Sequence, residues 1–360
     1  MTLSEDEKRA FIKEYSRIAA SKELRSVQNI DEIKAVIENN KQHFSLVPRK
    51  LYKYRRFDEK NYTYDSINND RLYLSRADQL DDAFEASLRM DASSPNDDNC
   101  QFDRLFLRYI HYILDFYDIE HGPVDAIYEE SKLHPEEGMT YFLGKLLSFL
   151  TNDLSKDIMV FGQICNYVIQ FNVRGGRDEL MKRANSMLSN ALQTGICSLT
   201  TNKSSQIMWE YYADHYKGCC VEYSIDDDDY SSLIDLVPVV YSHSRPFSAI
   251  DIAVDLFLGE SLYGEEHALK EFTLQLFQLS TVKDPEWAFQ NEWRIIGYPG
   301  YSVNKAPRIS AIYLGHNVSE TDIMKIVEIA NRKHIPLFST FFDYENTRIN
   351  FREIANEWQE

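Results

Sequence analysis

Residues 281–296, TVKDPEWAFQNEWRII, set Lys283, Glu286, Glu292 and Arg294 among aromatic and apolar neighbours. In an extended strand alternate side chains share a face. QNEWRII therefore carries Gln290, Glu292 and Arg294 on one side and Asn291, Trp293 and Ile295 on the other. Such a polar face is either the wall of a pocket or an ion-paired sheet surface. In KLYKYRRF the same alternation separates Lys53 and Arg55 from Tyr52 and Tyr54. Paired cations can hold a phosphate or carboxylate, arginine doing so through two parallel hydrogen bonds; the alternative is a surface pairing with acidic neighbours. In RLYLSRA the grouped residues are Arg71, Tyr73 and Ser75. A tyrosine and a serine facing a pocket can donate to a ribose or a phosphate, although exposed strand positions carry the same residue types.

Glu222 lies mid-strand in CCVEYSI, on the face of Cys220 and opposite Val221 and Tyr223. A carboxylate there is costly to bury without a cation, and the cations of the other strand-like runs are Lys53, Arg55, Lys283 and Arg294. This yields a competing expectation, an ion-pair network that fixes strand register and does no chemistry. In DDAFE, Asp81, Asp82 and Glu85 are oxygen ligands of the kind magnesium or calcium takes, or equally a turn and helix cap. Met208, Trp209, Tyr212 and Tyr216 recur near helical spacing in MWEYYADHYKG, the pattern of a core stripe, with Trp209 and Tyr212 also available to a ligand. His215 is read as structural. No Cys–His pairing, GxSxG elbow or Gly-rich phosphate loop occurs.

The elements that must carry these residues alternate in type along the chain. Ser4 and Glu7 form a capping-box pattern ahead of a helix on which Phe11, Tyr15 and Ile18 recur. A second helix over DEIKAVIENNKQHF completes a helical extension, residues 1–45. Two strands follow, then a helical block from about 100 to 192, read as an insertion, lid or partner surface. Strand signals return in GICSLT, GCCVEYSI and LVPVVYS, and after a further helical stretch in EWRIIGY and ISAIYLG. The predicted fold is α+β: a mainly antiparallel mixed sheet with a large helical insertion and flanking helices. The core spans 46–320, and a helix and strand in 321–360 pack on it.

With 57 acidic against 39 basic residues the net charge is −18, a field that repels nucleic acid and favours cations or basic partners. The five cysteines, Cys100, Cys165, Cys197, Cys219 and Cys220, have neither disulfide-framework nor zinc spacing. No apolar run approaches a membrane span. These features predict a cytoplasmic protein with reduced thiols and no bound metal.

The pieces LYKYR (51–55), RLYLSRADQLDDAFEA (71–86), SLTTNKSSQIMWEYYADHYKGCCVEY (198–223), KDPEWAFQNEWRII (283–296) and ISAIYLG (309–315) occur together in an order that resembles a bacterial family, domain of unknown function 2971. Where that family reads Asn-Asp-Pro-Phe-Glu, this chain has Asp81, Asp82, Ala83, Phe84 and Glu85. Gln290-Asn291-Glu292 also resembles the Gln/Glu-x-Glu element of ADP-ribosyltransferases. That resemblance implies Arg55 holding NAD, Ser75 supporting the nicotinamide ribose and Glu292 acting on it as nicotinamide departs. Lys53, Tyr73, Gln290, Arg294, Lys283, Trp209, Tyr212 and Glu222 would complete the ligand surround. Two readings stand. One is an NAD-using ADP-ribosyltransferase-like effector, set by the family's bacterial occurrence in phage defence or inter-bacterial conflict. The other is a non-enzymatic module that binds a small molecule or a protein over a structural ion-pair network.

Overall fold

A computed structural model describes residues 3–20, 30–80, 98–134, 136–153, scattered positions from 162 to 186, 194–225, 236–243, 249–301 and 306–354. The DDAFE motif and the run Asp226 to Asp229 lie outside the described residues. The chain divides into two compact units.

The first unit, Met1–Ser87 with Leu192–Arg245 and Ser280–Glu360, holds the strands. In chain order these are β1 (Lys50–Arg55), β2 (Tyr73–Arg76), β3 (Gly195–Thr200), β4 (Cys219–Ser224), β5 (Leu236–Pro238), β6 (Val240–Tyr241), β7 (Val282–Lys283), β8 (Glu292–Gly297), β9 (Gly300–Tyr301), β10 (Arg308–Leu314), β11 (Leu337–Asp343) and β12 (Arg348–Glu353). The large sheet runs β12-β11-β10-β4-β1-β3-β2-β9, with β8 pairing β3 and β5; β6 and β7 form a small parallel pair. Apart from β10–β11 the pairings in the large sheet are antiparallel. The fold is α+β around a mixed, mostly antiparallel sheet.

The registers decide where an opening can form. All six residues of β3 oppose β8, so a single edge of β3 remains for its other partners. β1 takes that edge at Thr200, opposite Tyr52, and β2 takes it at Ile196 and Gly195, opposite Ser75 and Arg76. Over the middle of β3 the two strands part. Directly opposed residues project from the same side of a sheet, which aligns Glu222, Tyr52, Thr200 and Glu292 in one row.

One face of the sheet packs Tyr52, Tyr54, Met208, Trp209, Tyr216, Cys220 and Tyr313 into an apolar cluster. On the other, helix Glu320–Lys333, capped by Ser319, meets helix Tyr62–Asn68 through a hydrogen bond from Tyr64 Oη to Asp322 at 2.5 Å. Helix Glu5–Ala20 opens with the anticipated capping box, Glu7 N donating to Ser4 Oγ at 3.3 Å and Ser4 N to Glu7 Oε2 at 2.7 Å. Its stripe of Phe11, Tyr15 and Ile18 is buried, with Phe11 edge-on to Trp293 at 5.4 Å. Each large apolar side chain removed from water contributes roughly 1.5–3 kcal/mol, so this helix is part of the sheet's core.

The second unit joins Leu88–Ala191 to Pro246–Leu279. Helices Asp98–Phe116, Gly122–Ser131 and Gly138–Asp153 share a core with Ala249–Tyr263 and Glu265–Leu279, built on Tyr109, Ile113, Phe142, Leu146, Ile252 and Leu258. Asp255 is buried there among Arg108 Nη2 at 3.1 Å and Gln275 Nε2 at 2.7 Å; burial raises its pKa. No helix among the described residues is long and apolar enough to cross a membrane.

Candidate functional site

The parting of β1 and β2 over β3 opens a cavity of about 210 Å³ in the first unit. Tyr52, Lys53 and Tyr54 line it from β1, Ser75 with Gln79 and Leu80 from β2 and the turn after it, and Ile196, Ser198, Leu199 and Thr200 from β3. Met208 and Tyr212 form a wall, and Lys283, Gln290 and Glu292 complete the surround.

Helix Gln206–Tyr211, capped by Ser205, positions Met208 and Tyr212. After it Asp214, His215 and Tyr216 all adopt left-handed backbone, with φ of 47°, 54° and 63°. Left-handed backbone costs a non-glycine residue roughly 1–2 kcal/mol. Compensation comes from the turn's hydrogen bonds: His215 N to Glu210 O at 2.9 Å, Tyr216 N to Trp209 O at 3.2 Å and Asn317 N to Tyr216 O at 3.1 Å. Glycine is required opposite, since a Cβ at Gly315 would lie 1.9 Å from Tyr216 O.

Lys283, Gln290, Glu292 and Arg294 form one buried network. Glu292 is 2% exposed and Arg294 0%. Arg294 Nε donates to Glu292 Oε1 at 2.7 Å, and Lys283 Nζ donates to Glu292 Oε2 at 3.2 Å and to Gln290 Oε1 at 2.8 Å. Gln290 Nε2 donates to Tyr212 Oη at 2.7 Å. Arg294 also donates to the Ser280 carbonyl. Both carboxylate oxygens thus hold a cation, the condition for keeping a charged group inside. The 3₁₀ helix Pro285–Gln290 begins at Asp284, whose side chain accepts from Glu286 N, and ends at left-handed Asn291, which turns the chain into β8.

Lys53 fills the gap between strands. The Glu292 carbonyl accepts from Val239 N on the β5 side. Alternation therefore turns the Ser198 carbonyl away from β8, towards the edge shared by β1 and β2. Lys53 Nζ donates to it at 2.9 Å. Burial, the largest influence, lowers the pKa of Lys53, and neighbouring Arg55 adds to the effect while Cys197 and Glu292 oppose it. Burial likewise pushes Tyr52 and Tyr54 up.

Of the residues singled out in the sequence, Lys53, Ser75, Tyr212, Lys283, Gln290 and Glu292 line this cavity. Arg55 does not. It shares a strand face with Lys53, away from Tyr52 and Tyr54, and lies beside Tyr223, which burial pushes up to about 12 against the pull of Arg55. Arg55 Nε and Nη2 are buried with no hydrogen-bond partner among the described residues. Tyr73 is 43% exposed, paired to Tyr301 across β9. Trp209 is wholly buried, its indole N–H donating to Lys203 O at 2.9 Å. Arg294 lies beneath Glu292, outside the lining.

Glu222 belongs to a separate cluster, and its cation is none of the four anticipated. Lys50 Nζ donates to Oε1 at 2.8 Å, Ser310 Oγ to the same oxygen at 2.8 Å and Tyr313 Oη to Oε2 at 2.7 Å. The reason is parity: Lys50 shares the face of Tyr52, which opposes Glu222, whereas Lys53 and Arg55 face away. Burial opposes ionisation, yet these three donors together hold Glu222 below the usual carboxylate range. Lys203 lies over Tyr313 at 4.3 Å and Phe351 at 4.8 Å, a cation in an aromatic surround; its pKa falls through burial.

Tyr52, Tyr54, Ser198, Thr200, Gln79 and Leu80 were not singled out as ligand residues. For Tyr52 and Tyr54 the signal was present in the alternation of KLYKYRRF, which set them on their own face. For Thr200 and Ser198 it was absent, because only strand pairing brings them beside Glu292 and Lys53.

Among the described residues no three His, Cys, Asp or Glu side chains gather as a metal would require. Cys197, Cys219 and Cys220 are free and buried, and burial raises the pKa of Cys219 to about 12, which keeps that thiol protonated. The arrangement can offer hydroxyls, an amide and a fixed charge pair to a small polar ligand. Comparison with curated proteins and with solved structures yields no match. A family model does match residues 208–295, from Met208 in the cavity wall to Ile295 beside Arg294: the family is described as a protein of unknown function (DUF2971), the one that the sequence motifs resemble.

Proposed function

We propose that the protein binds a small, hydroxyl-rich ligand of the sugar or nucleoside class in the cavity between β1 and β2. The observation that carries this reading is the lining itself. Ser75 and Ser198 bring hydroxyls that have no hydrogen-bond partner among the described residues. Beside them lie the polar groups of Gln79, Thr200, Tyr212 and Gln290, and Leu80, Ile196 and Met208 offer an apolar side. A few fixed polar groups in an otherwise apolar concavity is the usual make-up of a small-molecule site. At about 210 Å³ the cavity is smaller than the roughly 300–1,000 Å³ of sites that enclose drug-sized ligands. It suits one or two rings, and a dinucleotide would leave part of itself outside.

A second reading, NAD-dependent ADP-ribosyl transfer, is favoured by Ser75 and Glu292 lining the same cavity. Against it, Arg55 lies off the cavity, and Arg294 and Lys283 already neutralise Glu292, which weakens its field on a developing oxocarbenium ion.

Calorimetric titration with ribose, adenosine and NAD tests the first reading, using wild type and Leu80→Trp, which fills the cavity. Binding by wild type and its loss in Leu80→Trp is the expected result. No binding by wild type, or equal binding by both, would sink the proposal. Transfer of labelled ADP-ribose from NAD to protein, with release of nicotinamide, by wild type but not by Glu292→Gln would replace it with the enzymatic reading.

A further inference from the structure

A second concavity lies beside the first. Ile207, Tyr211 and Tyr212 face Glu286, Trp287 and Phe289 across about 710 Å³, and Tyr212 lines both spaces. The two elements that build it are those that wall the inner cavity. Residues of helix Gln206–Tyr211 that point away from the core, Ile207 and Tyr211, are 44% and 76% exposed. In the 3₁₀ helix Pro285–Gln290, Gln290 turns inward while Glu286, Trp287 and Phe289 turn to this groove. Its lining is four aromatic rings, one aliphatic side chain and one carboxylate.

That composition selects by charge. Glu286 is the one charged group among the described residues that line the groove, so a phosphate or an acidic side chain would meet a like charge there. Aromatic faces attract cations through the ring quadrupole, tryptophan most strongly and arginine most often. Trp287 already attracts one, Lys283 Nζ lying 4.8 Å from its centroid. Tyrosine, tryptophan and arginine are the residues enriched at the energetic centres of protein interfaces, and a carboxylate pairs with arginine through charge-assisted hydrogen bonds. The net charge of −18 draws basic partners towards the whole surface.

We propose that this groove binds an arginine side chain presented by a peptide or protein partner, its guanidinium stacked on Tyr211 or Trp287 and paired with Glu286. The inference goes beyond the reading of the inner cavity and does not depend on what that cavity holds.

The test uses the full chain and three synthetic peptides that differ only at a central arginine, citrulline or glutamate flanked by apolar residues, titrated calorimetrically at low salt up to millimolar concentration. The arginine peptide should bind at least tenfold more tightly than the citrulline peptide, and the glutamate peptide should not bind. Tyr211→Ala and Glu286→Gln, both at exposed positions, should each weaken the arginine peptide at least fivefold with unchanged melting temperature. Absence of binding by wild type, equal affinity for arginine and glutamate peptides, or wild-type affinity in both variants would overturn the proposal. Because the inner cavity is read with ribose, adenosine and NAD, either inference can fail while the other stands.

Discussion

Lys53 Nζ stands 2.9 Å from the Ser198 carbonyl oxygen and supplies the hydrogen bond that a continuous neighbouring strand would give. Lys53→Met keeps the stem and removes the donor. The half-buried carbonyl then loses its partner, a change that costs about 1 kcal/mol. Urea unfolding measures it, and unchanged stability would mean that water enters the gap and replaces the ammonium.

Arg294→Leu is expected to be more damaging. It leaves Glu292 buried with only Lys283 at 3.2 Å, and breaking a buried pair from one side costs about 3–5 kcal/mol. The same measurement on Glu292→Gln gives the companion value. Wild-type stability in Arg294→Leu would mean that Lys283 alone suffices to hold the buried carboxylate.

Glu222 links stability to acid. Its folded-state pKa lies below the ordinary value of 4.5, so below that pH the unfolded chain takes up the proton first. The stabilisation is therefore complete above about pH 5 and is lost as pH falls through the folded pKa. Thermal unfolding of wild type between pH 6 and pH 3 should show a drop that Glu222→Gln shows less steeply. Parallel curves for the two proteins would remove Glu222 from the acid response.

Gly315→Ala tests the left-handed turn. The added Cβ would meet Tyr216 O at 1.9 Å, a backbone atom that cannot rotate away. A loss of about 3 kcal/mol, at the upper end for overpacking, should appear as a lowered melting temperature by calorimetry.

Much of the fold was legible because local patterns and tertiary structure agree. The Ser4–Glu7 capping box, the strand periods and the shared face of Glu292 and Arg294 all rest on interactions within a few residues; Gln290 reaches the same network from the end of a 3₁₀ helix and not, as alternation suggested, from the strand, because left-handed Asn291 breaks the extended run. The pairing of Glu222 with Lys50 was not legible, since it depends on which strand lies beside β4 and in what register. For the same reason Arg55 looked as available as Lys53: alternation places them on one face, and only the parting of β1 from β2 gives the lysine somewhere to reach. That Ala249–Tyr263 and Glu265–Leu279 join the earlier helices in one core is likewise a long-range fact. Their apolar residues point to burial but name no partner.

The inner cavity arises where two strands share one edge of β3. Its existence is therefore written in the strand connectivity, and its chemistry in the side chains around the rim. Ser75, Gln79, Leu80 and Tyr212 could change in type while the opening persisted, because strand pairing runs through backbone groups and not through these side chains. On the proposed ligand-binding reading, such a fold separates having a site from choosing its ligand, and one scaffold could be retuned to new small molecules without being rebuilt.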